Sequence, residues 1–425
     1  MDIEKLNQRL LETAEHGNLK KTTELLDMGA DLNYTDISRQ TPLIKACQYG
    51  HAQIAKLLTD RGADIKHTDY NGMDPFAYAC EWGHTEIAKQ LLDAGTDLDS
   101  AVRENWHALA HACFYGHNDI VELLIGYGTD VNMQSASAGG STALIEATCG
   151  GCGDTVRLLL DYGADMKAAD RYGNTALRRA CESGNAETLK ILLDAGADPN
   201  VLNKNNTGAV IGSVWKDRPE CLQILIEAGA NINVPDQDGW APLHTAAWNA
   251  KSKCAKILLD AGADINETVC GKYYVGYTPL ILACLNKRAE MVRLLLDAGA
   301  DVNKAKDGVT PLIITCRNAQ GSSDIITALI EYGADVNAAD NTGWTPLMYL
   351  ANKGGYTNLM TKLVKAGADI NRVNSQGKTA LDIMQIKYPD KYSRWIENTV
   401  NKPQIKRLER EDIQKAADTG FEFDI

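Results

Sequence analysis

The pentad Gly-Ala-Asp-Val/Ile-Asn, or a near copy, begins at Gly29, Gly62, Gly95, Gly128, Gly163, Gly196, Gly229, Gly262, Gly299, Gly333 and Gly367. Most copies are 33 residues apart. A second marker, Thr-Pro-Leu or a variant, keeps phase with the first. It begins at Thr41, Asp74, His107, Thr142, Thr175, Gly208, Ala241, Thr278, Thr310, Thr345 and Thr379. Two markers in register this often define a repeat. A length of 425 residues would otherwise suggest about two or three domains. A periodic chain instead stacks small units, none of which can bury its apolar side alone.

One unit can be read from its residues. Thr41 is a helix cap, and Pro42 occupies the first helical position, where a missing N–H costs nothing. A short helix runs through Leu43, Ala46 and Cys47 and stops at Gly50-His51. A second, with apolar residues at helical spacing from Ile54 to Leu58, ends at Gly62, the usual left-handed residue after a helix. Ala63 to Met73 form a polar turn segment with Asn71-Gly72 at its tip.

These units resemble the ankyrin repeat: about 33 residues, a β-turn and two helices, with T-P-L-H-x-A opening the first helix. Ala241-Pro242-Leu243-His244-Thr245-Ala246 is a close match, and Thr278-Pro279-Leu280, Thr310-Pro311-Leu312 and Thr345-Pro346-Leu347 match the opening. The resemblance implies an all-α ankyrin-repeat solenoid of about 12 helix-turn-helix units with β-turn fingers. Residues 1–36 lack Thr-Pro-Leu and have a polar first helix, as an N-terminal capping repeat should. Residues 37–390 form the repeat solenoid, and 391–425 a C-terminal capping helix and tail.

Composition narrows the partners. The chain carries 43 Lys+Arg against 56 Asp+Glu, a net charge of −13. That disfavours nucleic acid, whose phosphates need a basic face, and equally an anionic membrane surface. No apolar run approaches the roughly 18 residues of a membrane span, and no secretory signal opens the sequence. Eleven cysteines without a signal read as reduced thiols in the cytoplasm, or in a host cytosol for a pathogen or viral protein. Cys47, Cys80, Cys113, Cys181, Cys284 and Cys316 share one repeat position and read as small buried hydrophobes, as do Cys221 and Cys254 in the second helices.

The aromatic residues fall in one register. Proteins with this repeat usually bind with the β-turn tips and the inner face of the first helices, so the resemblance assigns partner contact to three places. Trp106, Trp240, Trp344 and Met73 sit just before the Thr equivalent. Trp215, Trp248 and Phe114 lie seven residues after it, and Trp82, Tyr49 and Tyr115 eight after. Tyr70 and Tyr172 flank tip glycines. An insertion at Glu267–Tyr277 adds Tyr273, Tyr274 and Tyr277 on a projecting finger, for contact with a partner or with the solenoid itself. Six of seven tryptophans thus occupy the binding register, with Trp395 in the tail the exception.

Chemistry for catalysis is sparse. Cys149-Gly-Gly-Cys152 has no second pair to complete a zinc site and lies in an interhelical turn. His107 and His111 are spaced i, i+4, but no third ligand is evident. His51, His84 and His117 each follow a turn glycine and read as structural, as do the turn asparagines Asn266, Asn303, Asn337 and Asn371. Gly208 and Gly212, both assigned to one first helix, mark residues 205–220 as a weak place. The expectation is a monomeric, non-enzymatic interaction scaffold without metal or cofactor, binding a protein that bears a basic patch. The alternatives are an inhibitor or effector that occludes a partner enzyme, and a small-molecule binder near Trp215 and Trp248.

Overall fold

Each Thr-Pro-Leu signal opens a helix as its chemistry requires. In the computed structural model, which describes residues 2–96, 108–134, 139–354 and 356–399, Thr41 Oγ1 accepts the Ile44 N–H at 3.2 Å and Pro42 is the first helical residue. Thr278, Thr310 and Thr345 cap the same way, and Asp74 substitutes its carboxylate, taking the Ala77 N–H at 2.7 Å. The helix Pro42–Gln48 is too short to persist alone. It persists because Leu43, Ile44, Ala46 and Cys47 are fully buried. Burying a side chain such as Leu43 contributes about 1.5–3 kcal/mol.

The second helix of this unit, Ala52–Asp60, buries Ile54, Ala55 and Leu58. It ends at Arg61, and Gly62 follows in the left-handed region at φ +86°. The described residues contain helices, turns and three isolated bridges, with no extended strand. The protein is an all-α repeat solenoid.

The chain divides into two compact units, residues 1–237 and 238–425. Among the described residues the first holds seven helix pairs, from Ile3–Glu15 with Leu19–Asp27 to Ala209–Trp215 with Pro219–Glu227. The described residues of the second hold five, from Pro242–Asn249 with Ser252–Asp260 to Ala380–Lys387 with Pro389–Thr399. In this last helix Trp395 is buried, and its indole N–H donates to Thr361 Oγ1 at 2.9 Å. The remainder of the tail, beyond Thr399, lies outside the described residues.

Three polar ladders fix the spacing between neighbouring repeats. In the first, the turn asparagine of one repeat accepts a backbone N–H from the next. Asn33 takes Asp64, Asn266 takes Asp301, Asn303 takes Asp335 and Asn337 takes Asp369, at 2.7–2.9 Å. In the second, the side chain that starts a second helix donates to a carbonyl ending the previous repeat's first helix. His51 reaches Glu15 O, and His117 reaches Glu81 O, both at 2.8 Å. Those carbonyls have no partner within their own helix.

Cys152 holds the same place, with Sγ 3.3 Å from Phe114 O. The Cys149–Cys152 pair is therefore a repeat in which cysteine replaces the structural histidine. The third ladder ties second-helix ends together, through Arg61 to Asp27, Tyr127 to Asp93 and Tyr332 to Asp297.

One local expectation is corrected. Gly208 is the extended residue before the helix Ala209–Trp215, so only Gly212 lies inside it. Gly212 is buried, and a Cβ there would meet Glu182 and Arg178 at ordinary contact distance. Arg178 Nη1 donates to the carbonyls of Thr207 and Gly208 at 3.0 and 2.8 Å, and Nη2 pairs with Glu182 at 2.8 Å. These bonds fasten the glycine-bearing repeat to the one before it.

Candidate partner-binding surface

The β-turn fingers are held by an aspartate or asparagine five residues before the Thr equivalent. Asp69 Oδ1 accepts the N–H groups of Asn71 and Met73 at 2.8 and 3.0 Å. Asp36, Asp170, Asn203, Asp340 and Asn374 each accept the corresponding pair. An Asx oxygen placed this way closes the turn locally.

In four repeats the second carboxylate oxygen meets a side chain nine residues on, in the first helix. Tyr78 OH donates to Asp69 Oδ2 at 2.8 Å and accepts from Gln40 Nε2 at the same distance. Arg179 pairs with Asp170 at 2.6 Å, Tyr349 with Asp340, and Lys45 with Asp36 at 3.3 Å. Sequence reasoning missed these pins. Their signal was an acidic turn residue followed nine positions later by Lys, Tyr or Arg.

The pins set protonation. Burial pushes the Asp170 carboxyl up, but hydrogen bonds from Asn174, Arg179 and Tyr172 outweigh it and leave it below the ordinary range. Tyr78 moves up strongly, through burial and the Asp69 carboxylate, and stays a phenol.

The aromatic register divides between the units. In the first, Tyr49, Tyr70, Trp82, Phe114, Tyr115, Tyr172 and Trp215 are all exposed. Trp82 and Trp215 keep 53% and 60% of their surface in solvent, and Tyr70 72%. Phe114 and Tyr115 meet edge-on at 5.1 Å, and Tyr115 stacks beside His117. Met73 is buried and forms part of a cleft floor. Trp106 and His107 lie outside the described residues.

In the second unit the rings pack on one another. Trp240 meets Trp248 at 5.4 Å and Tyr274 at 5.8 Å, both edge-on, and Trp248 lies 5.1 Å from Tyr274. Tyr277 joins at 5.9 Å. The inserted finger therefore folds back onto the tryptophan pair, while Tyr273, with Lys272 over its ring, Val275 and the rim of Tyr274 face outward. The fold-back rests on two glycines: a Cβ on Gly271 would fall 1.7 Å from Asp238 O, and one on Gly239 2.1 Å from Gly271 N. Trp344 is half-buried against Tyr349 at 5.1 Å.

Within the first unit one cleft gathers several of these residues. Gln48, Tyr70, Asn71, Met73, Tyr78, Glu81 and Trp82 line an open cavity of about 580 Å³. Near the glycine-bearing repeat the cavity between Pro199, Leu202 and Ile211 measures about 10 Å³, room for at most one water.

All eleven cysteines stand as thiols, and the six at the shared first-helix position are buried. Burial raises Cys149 to about 11. Among the described residues no group of three or more His, Cys, Asp and Glu could hold a metal, and no helix is long and apolar enough to cross a membrane.

A family profile described as ankyrin repeats (3 copies) matches residues 10–102, 109–203, 196–269 and 267–340, and one described as ankyrin repeats (many copies) matches 329–384. The chain belongs to the ankyrin repeat family. Ankyrin repeats generally mediate protein–protein interaction. A solved structure, the human ASB11 ankyrin repeat domain, is 25% identical and aligns with a TM-score of 0.47, covering 54% of this chain and 99% of that one. No curated protein matches. The helix pairs and turn fingers described above are thus ankyrin repeats.

Proposed function

We propose that the protein is a non-catalytic interaction scaffold that grips a protein partner with the finger tips and first-helix ends of residues 1–237. The observation that carries this reading is the row of exposed rings in one repeat register, from Tyr49 to Trp215. Trp and Tyr are the side chains that dominate interface hot spots, each contributing about 2 kcal/mol or more. Exposed rings cost solubility unless a partner covers them.

In this reading Tyr273, Tyr274 and Tyr277 serve chiefly to brace Trp240 and Trp248, with Trp344 a second, smaller contact. The net charge of −13 favours a partner with a basic patch, steering encounter more than affinity. Eleven thiols fit a reducing compartment, the cytoplasm or a host cytosol. The protein acts as a monomer, with residues 1–36 an N-terminal capping repeat and a C-terminal capping helix beginning the segment 391–425.

The test is affinity capture from native lysate with three proteins: wild type, Trp82→Ala/Trp215→Ala, and the control Tyr127→Ala/Tyr332→Ala on the second-helix ends. A partner retained by wild type and control but lost by the first variant supports the reading. A partner retained equally by all three refutes it.

A further inference from the structure

The cleft under Trp82 has a chemistry that the register alone does not describe. Two carboxylates belong to it. Asp69 is buried beneath the floor, its oxygens taken by neutral donors: Asn71, Met73 and Tyr78. Glu81 lines the wall, and no cation pairs with it among the described residues. Burial and the neighbouring Asp69 charge both hold the Glu81 carboxyl above its ordinary value. A third acceptor, Gln48 Oε1, is buried without a hydrogen-bond partner among the described residues. Flat rings complete the site, with Trp82 and Tyr70 on its rim and Tyr78 behind, beside the Met73 thioether.

A ligand that answers all of this carries positive charge, several donors and a flat face. A guanidinium has five donors in a rigid fork, keeps its charge at any physiological pH and stacks on aromatic rings. An ammonium supplies a point charge and three donors without the flat face. The molecule already places guanidiniums on tyrosines of this finger position. Arg39 lies 5.7 Å from the Tyr70 ring centre and Arg171 4.9 Å from that of Tyr172, though neither lines the cleft. The volume of about 580 Å³ accommodates one long side chain with its flanking backbone.

We infer that this cleft is a docking pocket for an arginine side chain of the partner protein. Its guanidinium sits over Trp82 and Tyr70, with the Glu81 carboxylate as acceptor. The inference deepens the scaffold reading by naming what the partner presents, and it rests on that reading for its biological meaning.

The test uses the full chain labelled with 5-fluorotryptophan, with the Trp82 resonance assigned through Trp82→Phe. The probes are the blocked tripeptides acetyl-Gly-Arg-Gly-amide, acetyl-Gly-Lys-Gly-amide and acetyl-Gly-Leu-Gly-amide. The arginine probe is expected to shift the Trp82 resonance saturably, in the millimolar range usual for so small a ligand, while Trp215 stays still. Glu81→Gln, a surface change that leaves the far-UV spectrum intact, should weaken that binding about tenfold, the loss of one charge-assisted hydrogen bond.

Three results would overturn the inference: no saturable shift, an equal shift with the lysine or leucine probe, or a Glu81→Gln protein that binds as tightly as wild type. Failure here is distinct from failure of the scaffold. If the probe does nothing but capture still depends on Trp82 and Trp215, the pocket assignment falls alone. If the probe binds and capture ignores those residues, the scaffold reading falls alone.

Discussion

Protonating His244 should unfasten the second unit from within. The imidazole lies in the helix Pro242–Asn249 and is almost fully buried. Its Nδ1 accepts the Ala241 N–H at 3.1 Å, so the proton is on Nε2, which donates to Glu267 O at 3.0 Å. Both nitrogens are used only in the neutral ring. Burial accordingly pulls the pKa down to about 4, against the partial opposition of the Glu267 bond.

The unfolded chain binds a proton near pH 6.5 and the folded chain near 4. Stability is therefore fully present above about 6.5 and is lost as pH falls towards 4. At 1.36 kcal/mol per unit the whole effect is roughly 3 kcal/mol, and about 2.5 kcal/mol of it is gone by pH 4.5. Trp240 is a local reporter, with its ring 6.5 Å from the imidazole.

The assay is urea unfolding followed by tryptophan emission at pH 7.5 and 4.5, on wild type and His244→Gln. Glutamine stays neutral, so the variant should lose about 1–3 kcal/mol at pH 7.5 for its imperfect hydrogen bonds. It should then fall by about 2.5 kcal/mol less than wild type on acidification. Glu267, raised by burial and by Asp264, titrates in both proteins and drops out of the difference. Parallel losses in the two proteins would refute the reasoning.

Three further outcomes follow from single contacts. Gly150→Ala would put a Cβ 1.9 Å from Phe114 O, a backbone atom, so urea titration should show a loss of more than about 2 kcal/mol, with a neutral result contradicting the close approach. Tyr78→Phe leaves the buried Asp69 Oδ2 and Gln40 Nε2 without their partner and should cost about 1–3 kcal/mol by the same measurement, an unchanged midpoint excluding the pin. In native protein, mass-resolved alkylation should label exposed Cys270 first and the eight buried cysteines only on unfolding; early labelling of Cys149, whose thiol burial raises to about 11, would overturn the assignment.

The framework was legible because it repeats. Thr-Pro-Leu told where first helices begin, and the pentad glycines told where second helices end, since both act through local backbone chemistry. The aromatic register was legible too, but not its consequence. Trp248 and Trp215 occupy the same repeat position, seven after the Thr equivalent, yet one is covered by Tyr274 and the other is exposed. That difference depends on a finger folding back through a Gly239–Gly271 contact, which only three-dimensional packing specifies.

Gly208 looked helical because alignment by repeat places it beside Thr41, whereas both stand just outside their helices. The role of Cys152 was hidden for a different reason: a CxxC spelling suggests metal or redox chemistry, while counting from Gly50-His51 shows a ladder position. The cleft under Trp82 needed side chains from two repeats, Gln48 from one and Tyr70 to Trp82 from the next.

The central claim is that recognition lies on the finger tips and first-helix ends of residues 1–237. Hydrogen–deuterium exchange on the full chain, with and without the captured partner, tests it most directly. The account predicts slowed exchange in peptides spanning Tyr49, Tyr70–Trp82, Phe114–Tyr115 and Trp215, with the second-helix ends at Tyr127 and Tyr332 unchanged. Protection confined to the second-helix ends, or to residues 238–399, would contradict it.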